Sequence, residues 1–249
     1  MAIYITGDTH GGFQRFGSRY FPQQKNMGRE DYLIVTGDFG GLWDGGPKDQ
    51  YWLDWLEGKP FTTLFVDGNH ENFDLLNTLP ERQWNGGRVH VAREHVLHLM
   101  RGQVFTFGGL TWFTMGGASS HDIQDGILDP ADPNFEGQYW LMRRLRAMFR
   151  VMGVSWWPEE LPGAEEYSEA LANLERADWT VDCIGLVILF HVHAGNHVHQ
   201  GIDVPILGGS LENDIGNQRT IKERFCLCPE RIALLALALC VCYEGVHEF

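Results

Sequence analysis

The sequence predicts an α/β domain in which a largely parallel sheet is followed by a second sheet packed on the first. Two observations support this fold class. Apolar strand-like runs alternate with helical segments over the first 80 residues, and short strands follow one another closely after residue 95. The chain has 249 residues, of which 44% are hydrophobic, so it can bury the core of a single domain spanning residues 1–249.

The first three strands are predicted at residues 2–6, 32–36 and 63–67, where apolar residues dominate. A helix is predicted at residues 48–57, between the second and third strands, and a short one at residues 73–79, closed by a proline. Strands separated by helices are typical of parallel sheets with crossover connections.

The middle of the chain predicts a meander of short strands. Residues 104–107 and 110–113 flank the pair Gly108-Gly109, which is typical of a two-residue hairpin turn. The remaining predicted elements are strands at 96–100, 103–107, 110–115 and 181–190, helices at 138–152 and 158–177, and an irregular stretch at 123–134.

Polar side chains follow each of the first three strands at the point where the strand ends. Asp8 and His10 follow the first strand, Asp38 the second, and Asn69 and His70 the third. Open α/β sheets bind ligands beyond the carboxyl ends of their strands. Carboxylate oxygens combined with imidazole nitrogens suit Zn, Fe or Mn better than Ca or Mg. The three segments therefore predict a metal site at one sheet edge.

Each segment taken alone has a simpler interpretation. Gly-Asp pairs usually form turns, and an Asn-His pair is more often a helix cap than a ligand pair. Three such segments that all follow apolar strands favour the metal site over turns alone.

The order Asp-x-His, Gly-Asp and Gly-Asn-His-Glu resembles that of the calcineurin-like metallophosphoesterases. The resemblance covers about residues 1–182. It implies a four-layer α/β/β/α sandwich of two mixed sheets flanked by helices. It also implies a centre of two divalent metal ions (Mn, Fe or Zn) at the strand ends.

The resemblance also assigns roles to individual residues. It implies that Asp8 and His10 bind the first ion, that Asp38 bridges the two ions, that Asn69 binds the second, and that His70 is the catalytic histidine. The implied activity is hydrolysis of a small phosphoester or nucleotide by water activated between two ions. The alternative is a binding or regulatory module that keeps the fold but lacks a complete second metal site.

The second motif departs from the serine/threonine protein phosphatases. In that branch an Asp and an Arg stand where this chain has Gly41 and Leu42, so activity on phosphoproteins is not expected. Asp44 lies nearby but out of register, and we expect it to form a turn.

The late histidines depart further from the family pattern. The family expects a His after a later strand and then a Gly-His-x-His segment, whereas here His191, His193, His197 and His199 fall within nine residues. In one interpretation His191 is a second-metal ligand and His197 and His199 form a compressed final motif. In the other, the segment is a His-rich loop facing solvent. Residues 183–249 are therefore expected to be an atypical C-terminal part.

All five cysteines lie in that C-terminal part, four of them in the pairs Cys226/Cys228 and Cys240/Cys242. The spacing permits a zinc site but favours buried free thiols.

The net charge of -14 argues against nucleic acid as a partner, yet bound cations would still allow an anionic phosphate substrate. No signal peptide or membrane span is predicted, so a cytoplasmic location is expected. The oligomeric state is not predicted.

Overall fold

The computed structural model describes residues 1–186, 225–226 and 246–248. The strands in these residues are β1 (Ile3–Thr6), β2 (Tyr32–Thr36), β3 (Thr62–Val66), β4 (Glu81–Trp84), β5 (Gly87–Arg93), β6 (Val96–Leu99), β7 (Gln103–Phe107), β8 (Leu110–Met115), β9 (Gly126–Leu128), β10 (Phe149–Val151), β11 (Thr180–Val181), β12 (Cys183–Leu186), β13 (Phe225–Cys226) and β14 (Val246–Glu248). The α-helices are α1 (Pro47–Glu57), α2 (Phe73–Leu76), α3 (Phe135–Leu145) and α4 (Ala164–Arg176), and short 3-10 helices cover Phe13–Phe16, Pro22–Asn26 and Pro158–Glu160. No helix in the described residues is long and apolar enough to cross a membrane.

The larger sheet has seven strands in the order β14-β1-β2-β3-β6-β5-β4. Its centre is parallel: β1 pairs with β2, β2 with β3 and β3 with β6 in the same direction. The flanking strands β4, β5 and β14 are antiparallel to their neighbours. The sheet is therefore mixed, and the carboxyl ends of β1, β2 and β3 meet at one edge.

The smaller sheet has the order β12-β8-β7. Strands β7 and β8 form the predicted antiparallel hairpin, while β12 runs parallel to β8. Gly108 and Gly109 form its turn with φ values of +69° and +71°. Two consecutive left-handed residues are what a type I′ turn requires, and glycine adopts them without strain.

Successive side chains along the strands of the larger sheet point to opposite faces, and each face packs in a separate hydrophobic core. In β2, Leu33 and Val35 pack with Leu53 and Leu56 of α1 in one core. Ile34 faces the other way and packs in a second core that contains residues of the smaller sheet, among them Phe105, Phe107 and Trp112. The two sheets therefore lie face to face, and α1 covers the outer face of the larger one.

The outer face of the smaller sheet carries a third core. Phe113 and Met115 of β8 are buried with Ala170 and Leu174 of α4. The order of layers is thus helix, sheet, sheet, helix. This confirms the four-layer α/β/β/α sandwich of two mixed sheets flanked by helices.

Two predicted helices were wrong in extent. The helix expected at residues 138–152 is α3, which ends when Arg146 adopts a left-handed φ of +55°, and the chain then forms β10. Strand β10 pairs in parallel with β9, which lies in the stretch expected to be irregular. The helix expected at 158–177 is divided, because α4 starts only after Gly163, whose N–H donates to Glu166 Oε2 at 2.7 Å.

The hairpin of β4 and β5 was not predicted. Its turn is Asn85-Gly86, with φ values of +48° and +99°, and Asn-Gly is a strong hairpin signal. The strand expected at residues 181–190 is observed as β11 and β12, and residues 187–190 lie outside the described residues.

Candidate metal centre

The loops that follow β1 and β2 are joined by main-chain hydrogen bonds. The carbonyl of Asp38 accepts from the N–H groups of Thr9 at 3.1 Å and His10 at 2.7 Å. The buried hydroxyl of Thr9 donates to the Phe39 carbonyl at 2.7 Å, and Gly11 N–H donates to the same carbonyl at 3.0 Å. These bonds hold the first two motifs side by side.

Both loops contain residues with strained backbone conformations. His10 and Asp38 have φ values of +44° and +40°, which residues other than glycine rarely adopt. Gly40 allows the close approach, because a Cβ there would lie 2.7 Å from the Gly11 nitrogen. Such strain persists only where surrounding contacts hold it, and it is frequent at functional sites.

The side chains of Asp8, His10 and Asp38 converge. One ligand atom from each lies within 4.8 Å of the other two. His10 Nε2 is 3.6 Å from Asp38 Oδ2, and the side chain of Asp38 is nearly buried whereas that of His10 is exposed. Within the described part of the chain this is the one group of three or more His, Cys, Asp or Glu residues that could hold a metal ion. Its two carboxylates and one imidazole fit a borderline divalent cation.

The loop after β3 is fixed to the same carboxylate. The N–H of His70 donates to Asp38 Oδ1 at 3.0 Å. Gly68 lies so close that a Cβ at this position would overlap the Asp38 carboxylate. Asn69, which is 3% exposed, is therefore held between two residues in contact with Asp38.

Glu71 is hydrogen-bonded to the main chain of the loop that follows β2. Its buried carboxyl group accepts from Phe39 N at 2.6 Å and from Gly40 N at 3.3 Å. Burial, reinforced by the nearby Asp38 carboxylate, raises the pKa of Glu71 to about 8. Glu71 thus links the third motif to the second through the main chain.

His70 lies beside the cluster, next to the cationic side chain of Arg150. Its ring is 5.4 Å from the ring of His10, centroid to centroid, and Arg150 Nη2 lies 3.3 Å from both of its ring nitrogens. Arg150 is also paired with Asp122, whose Oδ2 accepts from Arg150 Nε at 2.8 Å. Burial lowers the pKa of His70, and the Arg150 charge acts in the same direction while Asp38 opposes it.

Sequence reasoning did not single out Arg150. It lay inside a predicted helix, whereas in the structure it belongs to β10, which pairs with β9. His121, in the loop between β8 and β9, has an exposed side chain.

A buried chain of hydrogen bonds, also not predicted, supports Asn69. Asn69 Nδ2 donates to Ser120 Oγ at 3.1 Å, and Ser120 Oγ donates to Glu160 Oε2 at 2.6 Å. The N–H of Ser120 donates to the other carboxylate oxygen at 3.0 Å. These hydrogen bonds could not be predicted from the sequence, because Ser120 and Glu160 are 40 residues apart and meet only in the folded protein.

The other predicted positions behave as follows. Asp44 accepts the Gly46 N–H at 2.7 Å, which is a turn contact. Cys183 is a half-buried free thiol, and burial raises its pKa to about 11. The three late candidate ligands His191, His197 and His199 lie outside the described residues, as do the side chains of the four paired cysteines.

The fold and the cluster define a class: an α/β sandwich whose parallel strands carry, at their carboxyl ends, side chains that could hold a metal ion. The family model for calcineurin-like phosphoesterases matches residues 1–197, and the chain belongs to this family. A search of curated proteins found no match.

Proposed function

We propose that this protein hydrolyses a small phosphoester or nucleotide with two divalent metal ions. The family supports phosphoester hydrolysis as the type of reaction. The observation that carries the proposal is the convergence of Asp8, His10 and Asp38 within 4.8 Å, beside the Asp38-bonded loop that holds Asn69.

The residues that would hold the ions follow from this arrangement. Asp8 and His10 would bind the first ion, Asp38 would contact both, and Asn69 would bind the second through its amide oxygen. His191, His197 and His199 remain proposed additional ligands. When bound, the ions would supply Lewis acidity that lowers the pKa of water towards neutrality and offsets phosphate charge.

His70 and Arg150 supply the groups that would act on the substrate. The ring of His70 lies beside the cluster, where an N–H could donate to a phosphoryl or leaving-group oxygen. Arg150 adds a charged donor 3.3 Å from that ring. Charge-assisted hydrogen bonds from arginine are strong and suit phosphate oxygens. This guanidinium, although paired with Asp122, keeps further N–H donors that could bind an anionic substrate.

The test is hydrolysis of an aryl phosphate monoester and a bis-aryl phosphate diester by the purified protein with Mn(II). We expect turnover of at least one ester, and its loss in Asp38→Asn. Asp44→Asn is the matched control, since its turn contact survives in the amide and its activity should equal that of the wild type. Equal turnover by Asp38→Asn would contradict the proposal.

Metal analysis separates this proposal from the alternative, a binding or regulatory module. Two ions per chain support the enzyme. One ion or none, together with no turnover of either ester, would favour the module.

A further inference from the structure

Asn69 has an ambiguity that the metal centre alone does not resolve. The two ends of a side-chain amide are nearly equal in size but opposite in chemistry: the oxygen accepts, and the NH₂ group donates. Only the oxygen can bind a cation. Some other contact must therefore decide which end faces away from the centre.

We infer that Ser120 and Glu160 are positioning residues that fix the orientation of the Asn69 amide for binding the second metal ion. This inference rests on the proposed function, since it assigns a purpose to a ligand of that same site. All three side chains are buried, with 3% exposure for Asn69, 4% for Ser120 and 2% for Glu160.

Glu160 determines which group donates and which accepts in each of these hydrogen bonds. Glu160 accepts both the Ser120 N–H at 3.0 Å and the Ser120 hydroxyl at 2.6 Å, so the hydroxyl proton of Ser120 lies towards Glu160. A hydroxyl has a single proton, so Ser120 Oγ can then only accept from its next neighbour. That neighbour is Asn69, at 3.1 Å.

The amide orientation follows from this sequence of donors. Because Ser120 Oγ can only accept, Asn69 must turn its NH₂ group towards it. Nδ2 is indeed the atom that faces Ser120. The oxygen Oδ1 is then the end left for a cation. Glu160, in the 3-10 helix Pro158–Glu160, thereby determines which atom of Asn69 faces the proposed metal centre.

Burial makes the arrangement hard to replace. A buried polar group without a partner costs about 1–3 kcal/mol, so the flipped amide, with two acceptors facing each other at Ser120, is disfavoured. Groups behind a metal ligand commonly affect metal affinity in this way, by about 10- to 100-fold.

Glu160→Gln tests the direction of the hydrogen bonds without removing an atom. The introduced amide keeps its oxygen on the Ser120 N–H and points its NH₂ at Ser120 Oγ. The hydroxyl proton then turns to Asn69, which must present its oxygen to Ser120 and its NH₂ to the metal centre. Ser120→Ala removes the contact and leaves the amide free to take either orientation.

The first readout is titration of the full-length protein with Mn(II). We expect Glu160→Gln to weaken the second ion by about 10- to 100-fold while the first is unchanged, and Ser120→Ala to have a smaller effect. The matched controls are the exposed neighbours Ser119→Ala and Glu159→Gln, which should bind both ions as the wild type does.

The second readout needs no metal. The side-chain amide signals of Asn69, assigned by their loss in Asn69→Asp, report the NH₂ environment in NMR spectra of the metal-free protein. We expect these signals to shift and to exchange faster with solvent in Glu160→Gln, and to stay unchanged in both controls.

The two readouts separate the possible failures. Unchanged Asn69 signals in Glu160→Gln would overturn the inference, as would shifted signals with an unchanged affinity for a second ion. A wild type that binds one ion at most would overturn the proposed two-metal function, and the amide signals alone would then decide the orientation.

Discussion

The main-chain N–H of His70 donates to the carboxylate of Asp38 at 3.0 Å, across 32 residues of sequence. A residue proposed to act on the substrate is thereby bonded to the residue proposed to bridge the ions. The same carboxylate is closely approached by Gly68. The geometry of the third loop therefore depends on Asp38, and a change in one should disturb the other.

Gly68→Ala should impair the proposed metal centre. The φ of Gly68 is not positive, so alanine is allowed by the backbone, but its Cβ would overlap Asp38 Oδ1. We expect a loss of stability of about 1–3 kcal/mol, as in other overpacked sites, and loss of Mn(II) binding by titration. The control is Gly28→Ala, where a Cβ would meet no atom within 4 Å. Retention of wild-type Mn(II) affinity in Gly68→Ala would count against the role of this close approach.

Arg150→Met should reduce kcat/KM for a phosphoester by about 10- to 100-fold, the range of one charge-assisted hydrogen bond. The reason is that the guanidinium beside His70 would contact a phosphoryl oxygen. Steady-state kinetics on the aryl phosphate measure the effect, and the exposed Arg144→Met should leave kcat/KM unchanged. If the two variants behave alike, Arg150 has no part in substrate binding.

His90 should make the stability of the protein depend on pH between about 4 and 6.5. Burial, and then the neighbouring His98, lowers the pKa of His90 from 6.5 to about 4. The unfolded state therefore binds more protons over this range, and the free energy of unfolding rises with pH from 4 to 6.5. The effect is about 3.5 kcal/mol at most, because the shift is about 2.5 pKa units and one unit corresponds to about 1.4 kcal/mol.

Replacing His90 should flatten that dependence. Denaturant unfolding of His90→Gln at several pH values is expected to give a shallower slope over this range than the wild type. The exposed His121→Gln is the control and should keep the wild-type slope. An unchanged slope in His90→Gln would show that other groups produce the dependence.

Much of the fold could be predicted because its strands are short and their signals local. Strands β2, β7 and β8 have the predicted bounds, and the Gly108-Gly109 turn lies where the two glycines predicted it. The helix over residues 138–152 was too long because its apolar pattern continues into β10. Strand β10 is stabilised by pairing with β9, which is a tertiary contact.

Some residues of the candidate site could likewise be predicted from the sequence, and others could not. Asp8, His10, Asp38, Asn69 and His70 could be named because each directly follows a strand, so their spacing along the chain was informative. Arg150, Ser120 and Glu160 could not. They reach the site from separate segments, and their pairing depends on how β9, β10 and the 3-10 helix Pro158–Glu160 pack.

The central claim is that these strand ends form a metal centre. Anomalous diffraction from crystals grown with Mn(II) tests it most directly. We predict one peak among Asp8, His10 and Asp38, a second peak in contact with Asp38 and Asn69, and loss of the second peak in Asn69→Ala. Absence of any peak at these side chains, with Mn(II) present at saturating concentration, would contradict the claim.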